Sequence, residues 1–492
     1  MRSCGILMPI FSLPSPHGIG TFGKEAYRFV DFLHRAGQSY WQILPLNPTN
    51  YGDSPYQSFS SFAGNPYFID LDVLIDEGLL TKAQVSAFDF GDNAQKVDYG
   101  KLYDNRLKVL RLAFKNFKAD EAYEQFINNN SHWINDYTLF MALKNAHNDT
   151  AWTTWEKPLR MREPKALAQA SEKYREDIKF YAFVQFKFEE QWRNLKSYAN
   201  SKGVKIIGDI PIYVAYDSAD VWSEPEQFLL DKNLCPKMVA GCPPDAFSED
   251  GQLWGNPLYN WKYMQNTHYA WWKGYLGQAL GRYDVVRIDH FRAFESFYAI
   301  PYGDKDAKGG KWIKGPNMKL FNALKAEFGN NLPIIAEDLG FLTPAVLKLL
   351  KNSGFPGMKV LQFAFDSREE SDYLPHNYER NCVVYTGTHD NDTIMGWLKS
   401  ANEADVQTAR RYLNHQADDG FNWAMMKAAM MSVADTCILM MHDLVALRSE
   451  GRINTPSTLG GNWQWRISGE CINDWLADVM RENTALYGRL PK

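Results

Sequence analysis

The sequence has few cysteines for its length, and they form no recognisable pair. Six are scattered over 492 residues, at Cys4, Cys235, Cys242, Cys382, Cys437 and Cys471. Because no C-x-x-C motif is present, a zinc site or a redox-active pair is not expected. We interpret the cysteines as isolated small apolar residues in a reducing compartment.

Long apolar runs and an excess of positive charge are also missing. The stretch from Cys4 to Ile10 is interrupted by Pro9, and is too short and broken for a signal peptide. No later run reaches the roughly 18 apolar residues of a membrane span. Lys and Arg number 53 against 58 Asp and Glu, which gives a net charge of −5. We therefore predict a cytoplasmic protein that binds neither membrane nor nucleic acid.

Aromatic residues, in contrast, are abundant. They make up 14% of the chain and include 16 Trp, while hydrophobic residues reach 45%, enough for a large core. Aromatic rings also offer flat apolar platforms for a neutral ligand with polar edges, such as a sugar. The length suggests about three domains at ~150 residues each, but a (β/α)8 barrel with insertions can pass ~400 residues as one unit.

Short apolar stretches suited to buried strands alternate with amphipathic helices. After one of them Thr343 can cap a helix, Pro344 suits its first position and Gly354 can end it. Apolar strands buried on both faces belong to parallel sheets, and so many of them favour a closed barrel. We predict an α/β fold, a (β/α)8 TIM barrel. Its strand candidates are 39–46, 205–214, 285–291, 333–340, 358–365, 381–387, 437–443 and, as the eighth, 64–71.

Two segments exceed a minimal barrel. Residues of approximately 75–200 carry aromatic and charged residues at helical spacing, which predicts a mainly helical insertion. Residues of approximately 211–280 are rich in Pro, Gly and Trp, which predicts a loop-rich insertion that forms part of the active-site cleft. We expect residues 1–492 to form a single catalytic domain.

Ionisable residues stand at the ends of four predicted strands. They are Asp209, Asp289, the pair Glu337 and Asp338, and the pair His389 and Asp390. A barrel core is filled by branched apolar side chains, so charged groups at strand ends require an explanation. Active sites of barrels are built at the carboxyl ends of the strands. A single such acid could cap the following helix, but acids at four strand ends indicate a catalytic site.

The spacing of these residues points to glycoside chemistry. Arg287 and Asp289 lie two positions apart on a strand, so both side chains point the same way, and the guanidinium favours an ionised, nucleophilic carboxylate. Glu337 follows an apolar run, and partial burial would raise its pKa, as suits a proton donor. Two carboxyl groups in unlike environments match retaining glycoside cleavage. Asp390 is a third acid that could support an oxocarbenium-like transition state.

Longer motifs follow one another along nearly the whole chain. They are WQILPLNP (41–48), DSPYQSFSSFAGNP (53–66), GDIPIYV (208–214), PPDAFSEDGQLWGNPLYNW (243–261), RIDHFR (287–292), AEDLG (336–340), GTHDNDT (387–393) and NTPSTLGGNWQWR (454–466). In these motifs the chain resembles the amylomaltases, the 4-α-glucanotransferases of glycoside hydrolase family 77 in the α-amylase clan.

The resemblance implies a role for each matching residue. Asp289 would be the nucleophile, Glu337 the general acid/base and Asp390 the stabiliser of the transition state. The implied substrate-binding residues are Tyr56, Asp209, Asp245, Trp254, Asn256, Arg287, His290, Asp338 and His389. The implied substrates are α-1,4-glucans, with glucose among the acceptors, and no metal or cofactor is required. Cys242, Ala246 and Ser457 depart from the family pattern and put the acceptor preference in question.

Other interpretations were weighed against this one. The segment Gly18 to Gly23 matches the dinucleotide motif G-x-G-x-x-G, but it follows a Pro-rich stretch rather than a strand, so a tight turn before a helix is the better interpretation. The segment 389–392, His-Asp-Asn-Asp, could be taken for a metal site, but it lacks the Gly and terminal Glu of a calcium loop. The nearest alternative function is a retaining α-1,4-glucan hydrolase, in which water is the acceptor. A sugar-binding protein without activity is disfavoured by the three intact acids.

Overall fold

The computed structural model describes residues 2–50, 52–244, 248–340, 342–368 and 370–491. The strands are β1 (Ser3–Leu7), β2 (Tyr40–Gln42), β3 (Lys205–Ile210), β4 (Met238–Cys242), β5 (Gln252–Pro257), β6 (Val285–Ile288), β7 (Ser296–Pro301), β8 (Lys311–Lys314), β9 (Ile334–Ala336), β10 (Gly357–Val360), β11 (Cys382–Tyr385) and β12 (Thr436–Met440).

The α-helices are α1 (Lys24–Arg35), α2 (Leu71–Asp76), α3 (Lys82–Ser86), α4 (Tyr99–Asn116), α5 (Glu121–Asn129), α6 (Ser131–Ala146), α7 (Lys157–Arg160), α8 (Pro164–Lys173), α9 (Arg175–Ser201), α10 (Ala219–Ser223), α11 (Trp261–Asn266), α12 (Ala270–Arg282), α13 (Met318–Phe328), α14 (Pro344–Ser353), α15 (Ile394–Ser400), α16 (Glu403–Leu413), α17 (Phe421–Met431), α18 (Met441–Leu444) and α19 (Asp474–Leu486).

Eight of the strands form one parallel sheet in the order β10-β11-β12-β1-β2-β3-β6-β9. Its two edges meet where the backbone N–H of Ala336 donates to the carbonyl of Pro356, at 2.9 Å, just before β10. Most residues of these strands are buried, as expected when helices cover the outside of a parallel barrel. The prediction of a (β/α)8 barrel is therefore confirmed.

The eighth barrel strand is β1, and the expectation that residues 64–71 form it was wrong. That segment contains a short 3-10 helix, Pro66–Phe68, and leads into α2. The side chain of Asn65 accepts from the backbone N–H of Tyr67, and that of Asp70 accepts from Val73. These local hydrogen bonds favour turns and helix starts over a strand.

The local helix signals were more dependable. Thr343 caps α14 through the backbone N–H of Val346, with Pro344 at its first position, and Gly354 ends the helix with a φ of +77°. The left-handed conformation at that position is one that glycine adopts without strain. The cysteines are less isolated than expected, because Cys4 of β1 lies directly opposite Cys437 of β12; both are buried thiols.

The segments between the barrel strands add helices and a second sheet. Helices α2–α9 lie between β2 and β3 in the chain. A second, antiparallel sheet has the order β5-β4-β7-β8, so the segment 211–280, expected to be rich in loops, also contributes two strands. No helix among the described residues is long and apolar enough to cross a membrane.

Candidate active site

Two of the predicted catalytic acids directly follow neighbouring strands of the barrel. Asp289 comes after β6 and Glu337 after β9. The backbone N–H of Asp289 donates to the carbonyl of Ile210 at 3.0 Å, and that of Glu337 donates to Ile288 at 3.0 Å. The hydrogen bonds of the sheet therefore extend one residue past the strands, which fixes the backbone of both acids at the carboxyl end of the barrel.

Arg287 connects two carboxylates with different nitrogens. Its Nη1 donates to both carboxylate oxygens of Asp209, at 2.7 and 2.6 Å, while its Nη2 lies 3.0 Å from Asp289 Oδ1. Burial acts to lower the pKa of Arg287, but Asp209 and Asp289 outweigh it and hold that pKa well above its usual value. Asp209 is fully buried, whereas the side chain of Asp289 is 31% exposed. The guanidinium thus holds an accessible carboxylate in one orientation.

Glu337 is in a different environment. Its Oε2 accepts from the backbone N–H of His290 at 2.6 Å, and its Oε1 from that of Leu339 at 2.8 Å. Burial and the neighbouring charge of Asp289 raise the pKa of Glu337 to about 8, so the carboxyl can carry a proton at neutral pH. His290 reaches this geometry with a φ of +50°, a left-handed backbone that is costly for a residue other than glycine.

Asp390 lies across the cleft on the loop after β11. Asn454 Nδ2 donates to its Oδ1 at 2.6 Å, and Arg452 donates to its backbone carbonyl at 2.8 Å. The Nε2 atom of His389 lies 3.4 Å from Asp390 Oδ1. The side chain of Asp390 is therefore 46% exposed, and one of its carboxylate oxygens, Oδ1, is already hydrogen-bonded.

Aromatic rings line the cleft. Tyr56 stacks on His389 with 4.9 Å between ring centroids, and its hydroxyl donates to Asp209 Oδ2 at 2.8 Å. Trp254 of β5 stands perpendicular to the ring of His290, also at 4.9 Å between centroids. The cleft has a volume of about 520 Å³. Such half-buried rings beside carboxylates are suited to a sugar, whose faces are apolar and whose edges are polar.

The structure brings most of the predicted residues to this cleft. Its walls include Tyr56, Trp254, Asn256, Asp289, His290, His389 and Asp390. Arg287 and Asp209 are buried and contact residues of the lining. Arg287 pairs with Asp289, and Asp209 accepts a hydrogen bond from Tyr56. Asp338 is also buried, and its carboxylate accepts from the backbone N–H of Met358 at 2.6 Å. The amide of Asn256 is engaged with Val214 and Gln57. Asp245 and Ala246 lie outside the described residues.

Several cleft residues were not predicted individually. Asn454 and Trp463 belong to the motif at 454–466, which the sequence analysis quoted without assigning its residues a role. Lys305 and Asp306 reach the cleft from the turn between β7 and β8, and nothing in their sequence context indicates this. Ser457 lines the cleft with a φ of +62°, a left-handed conformation that glycine would adopt with less strain.

The prediction of a metal-free site stays a prediction. Throughout the part of the chain that the structure describes, no group of three or more His, Cys, Asp and Glu side chains is arranged to hold a metal ion.

Comparisons with known proteins agree with this geometry. The profile of glycoside hydrolase family 77, described as 4-alpha-glucanotransferase, matches residues 8–472. A 4-alpha-glucanotransferase of Clostridium butyricum is 51% identical over 486 residues, with 98% of this chain and 100% of that protein covered. One from Thermus thermophilus is 47% identical over 479 residues, with 95% of each covered.

The solved structures show the same relationship. The amylomaltase of Streptococcus agalactiae in complex with acarbose superposes with a TM-score of 0.97 and 41% identity, over 100% of both chains. The amylomaltase of Corynebacterium glutamicum, at 17% identity and a TM-score of 0.78 over 100% of this chain and 75% of that one, shares the fold. The chain therefore belongs to the 4-alpha-glucanotransferase family, glycoside hydrolase family 77, and is an enzyme of that activity.

Proposed function

We propose that this enzyme transfers α-1,4-glucan segments by a retaining double displacement, with Asp289 as nucleophile and Glu337 as general acid/base. The observation that carries the proposal is the contrast between the two acids: Asp289 is paired with the guanidinium of Arg287, while burial raises the pKa of Glu337 to about 8. A nucleophile must be anionic and a proton donor must be protonated, and the two environments supply these states side by side.

In the first step Glu337 donates its proton to the glycosidic oxygen. Asp289 attacks the anomeric carbon as the glycosidic bond breaks, which forms a β-linked glycosyl ester and releases the shortened glucan with a 4-hydroxyl. In the second step the 4-hydroxyl of an acceptor gives its proton to the Glu337 carboxylate and attacks the same carbon. The ester bond breaks, Asp289 leaves as a carboxylate, and the product is again α-linked.

Asp390 and its neighbours are assigned to the sugar in the cleavage position. The carboxylate of Asp390 faces the cleft and can stabilise positive charge as it develops on the ring. Burial and Arg292 lower the pKa of His290 to about 3, so its imidazole is neutral and can hydrogen-bond a hydroxyl. The stacked rings of His389 and Tyr56 line the same cleft.

The substrates proposed are maltooligosaccharides and longer α-1,4-glucans, with glucose as the smallest acceptor. The complex of the Streptococcus agalactiae relative with acarbose supports a site for α-glucan-like ligands. The bonds broken and formed have nearly equal energy, so no energy-rich cofactor is required. We retain the cytoplasmic location as part of this proposal, because the six cysteines are free thiols.

We expect the rate of transfer to fall at alkaline pH, with an apparent pKa near 8. Glu337 must be protonated for the first step, and its proton is present below a pKa raised to about 8 and is lost above it. The pH profile of kcat/KM with maltotriose as donor measures this fall, the alkaline limb of the profile, for the free enzyme. In Glu337→Gln the alkaline limb should be absent from the profile of the residual activity. An alkaline limb that is unchanged in Glu337→Gln would assign the limb to another group.

The balance between transfer and hydrolysis depends on how the cleft positions an acceptor. Water at about 55 M competes for the glycosyl ester, so a bound sugar must be favoured by orientation. Trp254 is half-buried, lines the cleft and is fixed by a 3.0 Å hydrogen bond from its Nε1 to Gln252. An indole held in this way can stack an acceptor sugar against the ester and displace water.

The experiment that tests the proposal compares the wild-type enzyme with Trp254→Ala on maltotriose. The wild type should produce a ladder of longer and shorter maltooligosaccharides with few new reducing ends. Trp254→Ala should lower the ratio of transfer products to new reducing ends several-fold. Trp475→Ala is the matched control, because Trp475 lies on α19, is 70% exposed and is remote from the lining of the cleft.

Two outcomes would contradict the proposal. A wild-type enzyme that yields only glucose and maltose, without longer chains, would be the retaining hydrolase of the alternative interpretation. Equal losses of transfer and hydrolysis in Trp254→Ala would show that the tryptophan maintains the shape of the site rather than placing the acceptor.

A further inference from the structure

One strand-end acid has no part in the mechanism above. Asp443 follows β12, lies within α18 and is fully buried. It therefore differs from Asp289 and Asp390, whose side chains are partly exposed in the cleft. A fully buried carboxylate is expensive unless its oxygens are well used, so its partners indicate its role.

The carboxylate of Asp443 joins the two ends of the loop that follows β11. Its Oδ2 accepts from the hydroxyl of Thr386, at 3.0 Å, directly after that strand. Its Oδ1 accepts from the backbone N–H of Ile394, at 2.7 Å, where α15 begins. Thr386 and Ile394 are themselves fully buried. The segment between these two anchor points, 387–393, carries His389 and Asp390.

Other contacts hold the same arrangement. The side-chain amide of Asn422 donates to the backbone carbonyl of Asp443 at 2.8 Å, which ties α17 to the carboxylate's own backbone. Inside the loop, Gln362 Nε2 donates to the carbonyl of Asp392 at 2.8 Å, and the backbone N–H of Gln362 donates to Thr386 at 3.2 Å. The loop is thus fixed at its start by Thr386 and at its end by Asp392 and Ile394, while His389 and Asp390 between them line the cleft.

We propose that Asp443 is a positioning residue for catalysis, which sets the place of Asp390 by holding residues 386 and 394 together. The inference rests on the catalytic role proposed for Asp390. Displacement of a reacting group by about 1 Å can cost about 10²-fold in rate, even when the change is made outside the reacting groups. Asp443 would therefore act on kcat more than on substrate affinity.

The test measures kcat and KM of folded variants on maltotriose. Asp443→Ala should lower kcat tenfold or more and change KM less than threefold. Asp443→Asn should recover kcat to within threefold of the wild type, because an amide oxygen can accept from Ile394 and the amide nitrogen can donate to Thr386. Thr386→Val, which keeps the volume but removes the hydroxyl, should lower kcat at least threefold, and Thr386→Ser should restore it.

The chain offers a matched control for these substitutions. Asp70 is also buried and also accepts from a threonine hydroxyl, that of Thr21, and from a backbone N–H, that of Val73. Its helix lies outside the catalytic loop. Asp70→Ala and Thr21→Val should lower the melting temperature as much as Asp443→Ala and Thr386→Val do, with kcat of the folded enzyme within twofold of the wild type. Equal effects on kcat in both sets would overturn the positioning role.

A double variant separates this inference from the mechanism. If Asp443 acts through Asp390, then Asp443→Ala in an Asp390→Asn background should lower kcat by less than threefold further, measured with an activated α-glucosyl fluoride donor. A full tenfold additional loss would overturn the inference. An Asp390→Asn variant as active as the wild type would instead refute the role proposed for Asp390.

Discussion

Replacement of Glu337 with Gln is expected to slow transfer from maltotriose by about 10²–10⁴-fold, because the leaving glucan loses its proton donor. An α-glucosyl fluoride should partly escape this loss, since fluoride departs without a proton. The ester on Asp289 would then form but could not be resolved, because Gln cannot take the proton of the incoming hydroxyl. We therefore expect a stable glycosyl adduct to accumulate in Glu337→Gln.

The measurement is the mass of the intact variant after incubation with the fluoride, followed by the mass of its peptides. The adduct should add one glucosyl unit to the peptide that contains Asp289. Asp289→Asn in the same background is the control and should remain unlabelled. An adduct on Asp390 would overturn the assignment of roles. The absence of any adduct would do the same if the folded Glu337→Gln variant still consumes the fluoride.

Arg287→Lys is expected to lower kcat/KM by about 10²-fold or more, although the charge is retained. The guanidinium contacts Asp209 through Nη1 and Asp289 through Nη2, whereas a lysine ammonium is a single point charge. A lysine that stays with the fully buried Asp209 leaves Asp289 without its orienting partner. Arg287→Leu should in addition lower the free energy of unfolding by roughly 3–5 kcal/mol, because Asp209 is left buried without a counter-charge.

Steady-state kinetics on maltotriose and denaturant unfolding measure the two effects. Arg282→Lys is the control, because Arg282 is also buried but contacts one carboxylate, that of Glu189, among the ion pairs of the described residues. That substitution should leave kcat/KM within a few-fold of the wild type. An Arg287→Lys variant with normal kcat/KM would show that charge near Asp289 suffices and that its orientation by a forked donor is not required.

The amino-acid sequence by itself determined the fold class and predicted three acids as the catalytic set. Apolar strands followed by capped helices can be recognised locally, because caps and strand patterns depend on neighbours a few positions away. Acids at strand ends could be predicted to lie in one site, because parallel strands bring their carboxyl ends to one edge of the sheet. The same local signals misled the prediction at 64–71, where proline and two polar caps produce turns. The apolar stretch from Cys4 to Ile10, which contains most of β1, was weighed only as a signal peptide.

The sequence predicted a raised pKa for Glu337 from its apolar neighbours, but only the tertiary structure decided which distant groups set it apart from the other acids. The pKa of Glu337 depends on the desolvation and on the charge of Asp289, which lies 48 positions away in the chain. Asp443 and Asp289 look alike as acids at the ends of apolar strands, yet one is fully buried behind a loop and the other faces the cleft. Burial and hydrogen-bond partners arise when distant segments pack together, so no pattern of neighbouring residues encodes which strand-end acid is fully buried and which one faces the cleft.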